Sequence, residues 1–226
     1  MKTISGRSVI VTIVVFLASL FAQQPYAAQS AHPPAKFKDA CHCIDCHAEY
    51  RWDVKTDDEA PPEDSSQIKS LTPSQIGDWD GPGGIFTMTT PRRVDERKWY
   101  SLTGRVTLVK IEPDGDLHIQ LVDENAQDDD VNVVVEVPFG HPWCNIRKEV
   151  FSWTNQTFPF QTQGKKFTLN SNPIITVTGK AFYDAIHGGK DTSLNRRKAP
   201  PNAAPTTRHV TIWEIHPVMH LDVQGQ

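Results

Sequence analysis

The chain lacks most of the signatures by which common enzymes are read. Its 226 residues contain no G-x-S-x-G nucleophile turn, no H-E-x-x-H zinc helix, no glycine loop that would cradle phosphate and no Ser/His/Asp order that stands out. An enzyme here would be one of unfamiliar design. Positive charge is not in excess either: 23 basic residues face 27 acidic ones, for a net charge of −4. Non-specific nucleic-acid binding draws its affinity from counterions released by Lys/Arg contacts, so a nucleic-acid partner is not expected. No repeat at a fixed period is present, and no apolar run reaches the roughly 20 residues that a membrane helix needs. Apolar residues are 38% of the chain and 17 prolines outnumber 13 glycines, so part of it should run as extended segment rather than core.

The longest apolar run, SVIVTIVVFLASLFA, lies at the N-terminus after Lys2 and Arg7 and before the small residues Ala27, Ala28, Ser30 and Ala31. This order reads as a secretory signal over residues 1–30, with Ala28-Gln29-Ser30 as a fair cleavage site and an uncleaved anchor as the alternative. Export to the periplasm or the exterior follows, with no membrane span after cleavage. Removing the segment takes away two bases and no acid, which makes the mature chain more acidic. It also places the four cysteines where disulfides persist.

Residues 31–98 read as an irregular arm. HPPAKFKDA, DDEAPPEDSSQ and DWDGPGG are rich in proline, acid and glycine, and one short helix is expected at Thr72-Pro73-Ser74-Gln75. From Trp99 the pattern changes to period-two alternation. WYSLTGRVTLVKIEP, DLHIQLVDE and VNVVVEVPF read as three strands, the second with Leu117, Ile119 and Leu121 on one face and His118, Gln120 and Val122 on the other. In HPWCNIRKEVFSWTN, Trp143, Ile146, Val150 and Trp153 fall at helical spacing. PIITVTGKAFYDAI and VTIWEIHPVMHLDV supply two more strands. Three strands, a helix and two strands form the layout of an OB-like five-stranded Greek-key barrel over residues 99–226, with a β-sandwich as its rival.

Five segments then carry a resemblance: RWDVKTDD at 51–58, GDLHIQL at 115–121, VEVPFGHPWC at 135–144, VTGKAFYDAIHG at 177–188 and WEIHPVMHLDV at 213–223. In this order they resemble a group of exported bacterial proteins of OB-like type with no settled activity. The resemblance implies the barrel and export but no reaction. The chain departs from the group in the long basic connection that holds Arg196, Arg197 and Lys198, and in two extra cysteines, Cys41 and Cys43. By implication Cys46 and Cys144 are the pair that matches, forming a disulfide from the arm to the end of the third strand.

CHCIDCH at 41–47 carries three readings. Cys43, Cys46 and His47 satisfy C-x-x-C-H, the pattern of covalent haem c, with Met88, Met219 or another histidine as distal ligand. Cys41, Cys43 and Cys46 with His47 or His42 would suit zinc, although structural zinc sites use two separated ligand pairs. The adopted reading is disulfides with no cofactor, Cys46 to Cys144, leaving Cys41 and Cys43 as a reduced, labile or intermolecular pair. Elsewhere, Glu136, Asp184, His187, Glu214 and His216 are polar residues in or beside apolar strands. Converging, they would bind a metal or small polar ligand; apart, they satisfy irregular backbone, and His216 would fix the long loop. Arg196 and Arg197 lie in a connection that OB barrels use for ligands, with Phe182, Tyr183 and Trp213 nearby as stacking surfaces. The acidic stretch 123–130 lacks calcium-loop spacing, and Asn155-Gln156-Thr157 is formally a glycosylation acceptor.

The sequence therefore reads as an exported, soluble β-barrel with a binding or structural role toward a small or extracellular ligand. A haem redox protein using Cys43, Cys46 and His47, or a hydrolase using Glu136, His187 and His216, are the alternatives.

Overall fold

Strand alternation in the second half of the chain closes on itself. The computed structural model describes residues 34–46, 50–126, 131–162, 166–196 and 209–225; the signal segment, His47, Arg197 and Lys198 lie outside them. Along the chain run β1 (Ala35–Phe37), β2 (Cys43–Ile44), α1 (Trp52–Lys55), β3 (Ile68–Leu71), α2 (Pro73–Gly77), β4 (Trp99–Ile111), β5 (Leu117–Val122), β6 (Asn132–Val137), α3 (Cys144–Ser152), β7 (Phe160–Thr162), β8 (Ile174–Tyr183), α4 (Ala185–Gly188) and β9 (Val210–Val223).

The barrel order is β4-β5-β6-β9-β8, and β4 closes the ring by pairing with β8. All neighbours are antiparallel except β6 and β9, which run parallel. This is the expected OB-like arrangement rather than a sandwich. β4 serves both edges: Trp99 to Arg105 pair with β8, and Arg105 to Ile111 with β5. At the changeover stands Gly104, where a Cβ would press on the Val122 carbonyl at 2.7 Å, so only glycine lets the strand coil this tightly. Leu117, Ile119, Leu121, Val133, Val135, Val137, Ile175, Val177 and Ile215 fill the interior with no exposure. Ring closure pairs the edges that these valine-rich strands would otherwise expose.

α3 plugs one end, as its position between the third and fourth barrel strands requires. Trp143, Val150, Trp153 and Phe151 are buried there while Ile146 stays half-buried. The residue that replaces it inside is Arg147, fully buried, which donates to the carbonyls of Ala40, Gly115 and Val137 at 2.6, 3.0 and 2.9 Å. Phe37 of β1 and Phe160 of β7 stack at 5.1 Å beside it in a small sheet of β1, β2 and β7.

The arm is more than loop. α2 begins where expected, with the Gln75 side chain accepting from the Thr72 amide at 2.9 Å, and β3 extends the sheet by pairing in parallel with β4. On the far side of β8 its pairing with β9 breaks. Pro217 has no amide to donate, and the register slips on both sides of Gly179. Arg92 of the arm fills the gap, donating to the carbonyls of Ala181 and His216 at 2.9 and 3.0 Å. Beside it, Arg51 and Glu96 form a bidentate pair at 2.8 Å with both side chains wholly buried. Among the described residues no helix is long and apolar enough to cross a membrane.

Candidate functional site

His118 and Glu136 face each other across β5 and β6 on the outer side of the barrel wall, opposite the apolar interior. Glu214 and His216 stand on the neighbouring β9, and the α1 segment lies over this face with Tyr50 and Val54 on Phe182. The result is a buried carboxylate–histidine cluster sandwiched between wall and arm.

Its geometry centres on His216, which has no exposure. One ring nitrogen, Nε2, lies 3.3 Å from Asp116 Oδ2, and the other, Nδ1, lies 3.1 Å from Glu136 Oε2 and 3.7 Å from Glu214 Oε2. These are ion-pairing distances without hydrogen-bond alignment, since neither His216 nitrogen and neither Asp116 oxygen makes a hydrogen bond. Glu136 Oε1 accepts from His118 Nδ1 at 2.9 Å, and Glu112 stands 3.2 Å from the same nitrogen. Lys55 of α1 closes the cluster, with Nζ 2.7 Å from Asp114, 3.8 Å from Asp116 and 3.9 Å from Glu136.

The charges follow from this placement. Burial opposes the charge on His216, but the carboxylates of Asp116, Glu136 and Glu214 outweigh it and hold the imidazolium well above its ordinary value. Lys55 is likewise buried yet held up by Asp114, Glu136 and Asp116. Glu136, though buried, is kept well below the usual carboxylate range by His118, His216 and Lys55. Burial and the Asp116 charge push Asp114 up to about 6 against the pull of Lys55. His118 is lowered by burial against the opposing pull of Glu136.

Of the residues singled out in the sequence, Glu136, Glu214 and His216 meet here. Asp184 and His187 bond to each other beyond the end of β8, with the His187 side chain half exposed on α4, and among the described residues His187 is not grouped with Glu136 and His216. The trio Glu136, His187 and His216 is therefore not assembled as one catalytic group. His216 contacts Asp116, Glu136 and the Phe182 ring rather than the long loop, because its strand turns the side chain toward the arm. Arg196 is exposed, and Arg197 lies outside the described residues. Sequence reading misses five members of the cluster, Lys55, Glu112, Asp114, Asp116 and His118, and it also misses Arg147 at the barrel end. The available signal is that four of the five quoted segments deliver the cluster: Lys55, Asp116 with His118, Glu136, and Glu214 with His216.

The cysteines pair differently from the expectation. Cys41 bonds to Cys144 and Cys43 to Cys46, so no cysteine is free. Cys41 reaches α3 because β1 runs alongside it, bringing the two Cα atoms to 4.8 Å, whereas Cys46 is held at the β5 turn against Gly115. With Cys43 and Cys46 joined, this state has no thiol to offer haem or zinc.

A second, open feature lies where β4 and β9 begin. Trp79 meets Tyr100 at 5.2 Å and Trp213 at 5.4 Å between ring centroids, walling a cleft of about 380 Å³ with Lys69, Lys98, Asp80 and Asp95 at its rim. Trp213 Nε1 donates to the Asp80 carbonyl at 2.8 Å and the Tyr100 hydroxyl to the Asp95 carbonyl at 3.2 Å, which fixes two of the rings. Burial and then Asp95 push the Tyr100 hydroxyl up to about 12, so it remains a donor. No family model, curated protein or solved structure matches this chain.

Proposed function

We propose that the protein is an exported binding module that takes a hydroxyl-rich ring, a carbohydrate, in the aromatic cleft at the barrel mouth. The observation that carries this reading is the combination of Trp79, half-buried, with a rim of both charge signs. Sugar C–H faces pack on indole, and sugar hydroxyls both donate and accept. Lys98 and Asp95 pair with each other at 2.6 Å, and of the remaining two rim charges Lys69 would repel an organic cation and Asp80 an anion. A polar ligand without net charge meets neither penalty. Mouths of β-barrels are common ligand sites, and the volume suits one or two sugar rings. Two disulfides support an oxidising compartment and hence export.

Titration of the mature protein with maltose and N,N′-diacetylchitobiose, followed by tryptophan fluorescence and ligand-observed NMR, tests this. Saturable binding with millimolar Kd is expected for one of the two. Trp79→Ala should weaken it at least tenfold, about 1.4 kcal/mol. Binding of choline instead of either sugar, or an unchanged affinity in Trp79→Ala, would overturn the reading.

A further inference from the structure

We propose that Asp116, Glu136 and His216 form a binding site for a divalent first-row cation such as Zn²⁺ or Mn²⁺, between the barrel wall and the arm. One ligand atom from each of the three lies within 4.8 Å of the others, and all three residues are buried. Ligands bound to one ion at about 2.1 Å can close that span with small side-chain shifts.

Asp116 supplies the independent observation. Its side chain has no exposure, and neither carboxylate oxygen makes a hydrogen bond. Asp116 is held by charge alone, from His216 at 3.3 Å and Lys55 at 3.8 Å, whereas fully buried carboxylates are almost always hydrogen-bonded. The two His216 nitrogens repeat the pattern: they approach carboxylates at 3.1 and 3.3 Å without bonding to them. Side chains that crowd together yet miss each other's bonding directions are arranged as ligands around a common centre.

Lys55 does not take that centre. Its ammonium is engaged by Asp114 at 2.7 Å and stands 3.8 and 3.9 Å from Asp116 and Glu136, too far to bond either. Two carboxylates and one imidazole suit a first-row cation better than calcium, which prefers oxygen alone. His118 holds the other Glu136 oxygen at 2.9 Å and orients it, as outer partners of metal ligands do. Entry is from the side of Lys55 and Asp114, whose side chains keep 12% and 16% exposure while the three ligands keep almost none.

The test uses the mature, disulfide-bonded protein stripped with EDTA, then titrated calorimetrically with Zn²⁺ and with Mn²⁺, with bound metal counted by mass spectrometry. One ion per chain is expected for at least one of the two. Asp116→Asn and Glu136→Gln should each weaken binding at least tenfold, whereas His42→Ala and His220→Ala, at exposed histidines, should leave it unchanged. Lys55→Met removes a competing positive charge and should bind the ion more tightly, with a larger thermal shift on addition of metal; this variant reads the site even where Asp116→Asn does not fold. Uptake below one ion per chain, uptake lost with the surface histidines, or no metal-dependent shift in Lys55→Met would each overturn the proposal.

Discussion

Arg51 and Glu96 are 45 positions apart in an arm whose composition suggests loop, yet each has a side chain with no exposure. Arg51 uses its whole fork: two bonds to Glu96, one to the Thr90 carbonyl at 2.8 Å, one to the Tyr183 carbonyl at 3.2 Å and one to the Pro91 carbonyl at 3.4 Å. Glu96 also accepts from the amides of Tyr183 and Arg93. The Arg51 guanidinium further lies over the Phe182 ring at 4.7 Å. Both carboxylate oxygens and all three guanidinium nitrogens are thus engaged, which is the condition under which burial of two charges is tolerated. Glu96→Gln is expected to destabilise the fold by about 3 kcal/mol in chemical denaturation, because it leaves Arg51 charged and uncompensated. Arg51→Lys should cost a similar amount, since an ammonium cannot reproduce the fork. The double change Arg51→Met with Glu96→Leu should recover part of the loss; if it is as unstable as the sum of the single variants, the penalty arises from packing rather than from charge.

Strands are the legible elements of this chain. Alternation places β4, β5, β6, β8 and β9 and the interior of β5 correctly, because each barrel strand has one face packed in the core and period two records it. The opposite face is not legible in the same way, since its polar residues are buried by a separate part of the chain. Lys55 and His216 are 161 positions apart and have no local pattern in common; only topology brings the arm across β9. Arg147 misleads for a similar reason: a long charged side chain in a helix reads as surface, but here it satisfies three carbonyls at the barrel end. The disulfide partner of Cys144 is misassigned between cysteines five residues apart, a distinction set by the turn after β1 and invisible to spacing. The observed pairing closes one loop with a separation of 103 residues and one with a separation of 3. Chain entropy assigns the long loop about 4–5 kcal/mol and the short one about 2. Peptide mapping without reduction should recover Cys41 linked to Cys144 and Cys43 linked to Cys46, and Cys144→Ala should be more destabilised than Cys43→Ala. A chain heavier by one haem, or a Cys46 to Cys144 peptide, would contradict this arrangement.

At the scale of the whole molecule, arm and barrel are joined by a line of charges. Asp57 of the arm accepts from Lys180 of β8 at 2.9 Å and from Arg92 at 3.1 Å, and Arg92 in turn holds the broken β8–β9 pairing. Partial burial works against ionised Asp57, but Lys180, the Glu59 amide and Arg92 together keep it below its ordinary value of 3.8. A depressed carboxylate contributes stability that is present above the unfolded value and lost as pH falls through the folded one. Acid should therefore loosen the arm first, because the barrel interior is apolar and its ladder does not titrate. Hydrogen exchange followed from about pH 5 to about pH 2, after correction for the intrinsic exchange rate, should show residues 50–59 losing protection before β5 and β6 do. Asp57→Asn should make that loss less dependent on pH while lowering protection of the same segment at neutral pH. Simultaneous loss in arm and barrel, with the same pH midpoint in wild type and Asp57→Asn, would mean that the two unfold as one unit and that this charge line does not govern their contact.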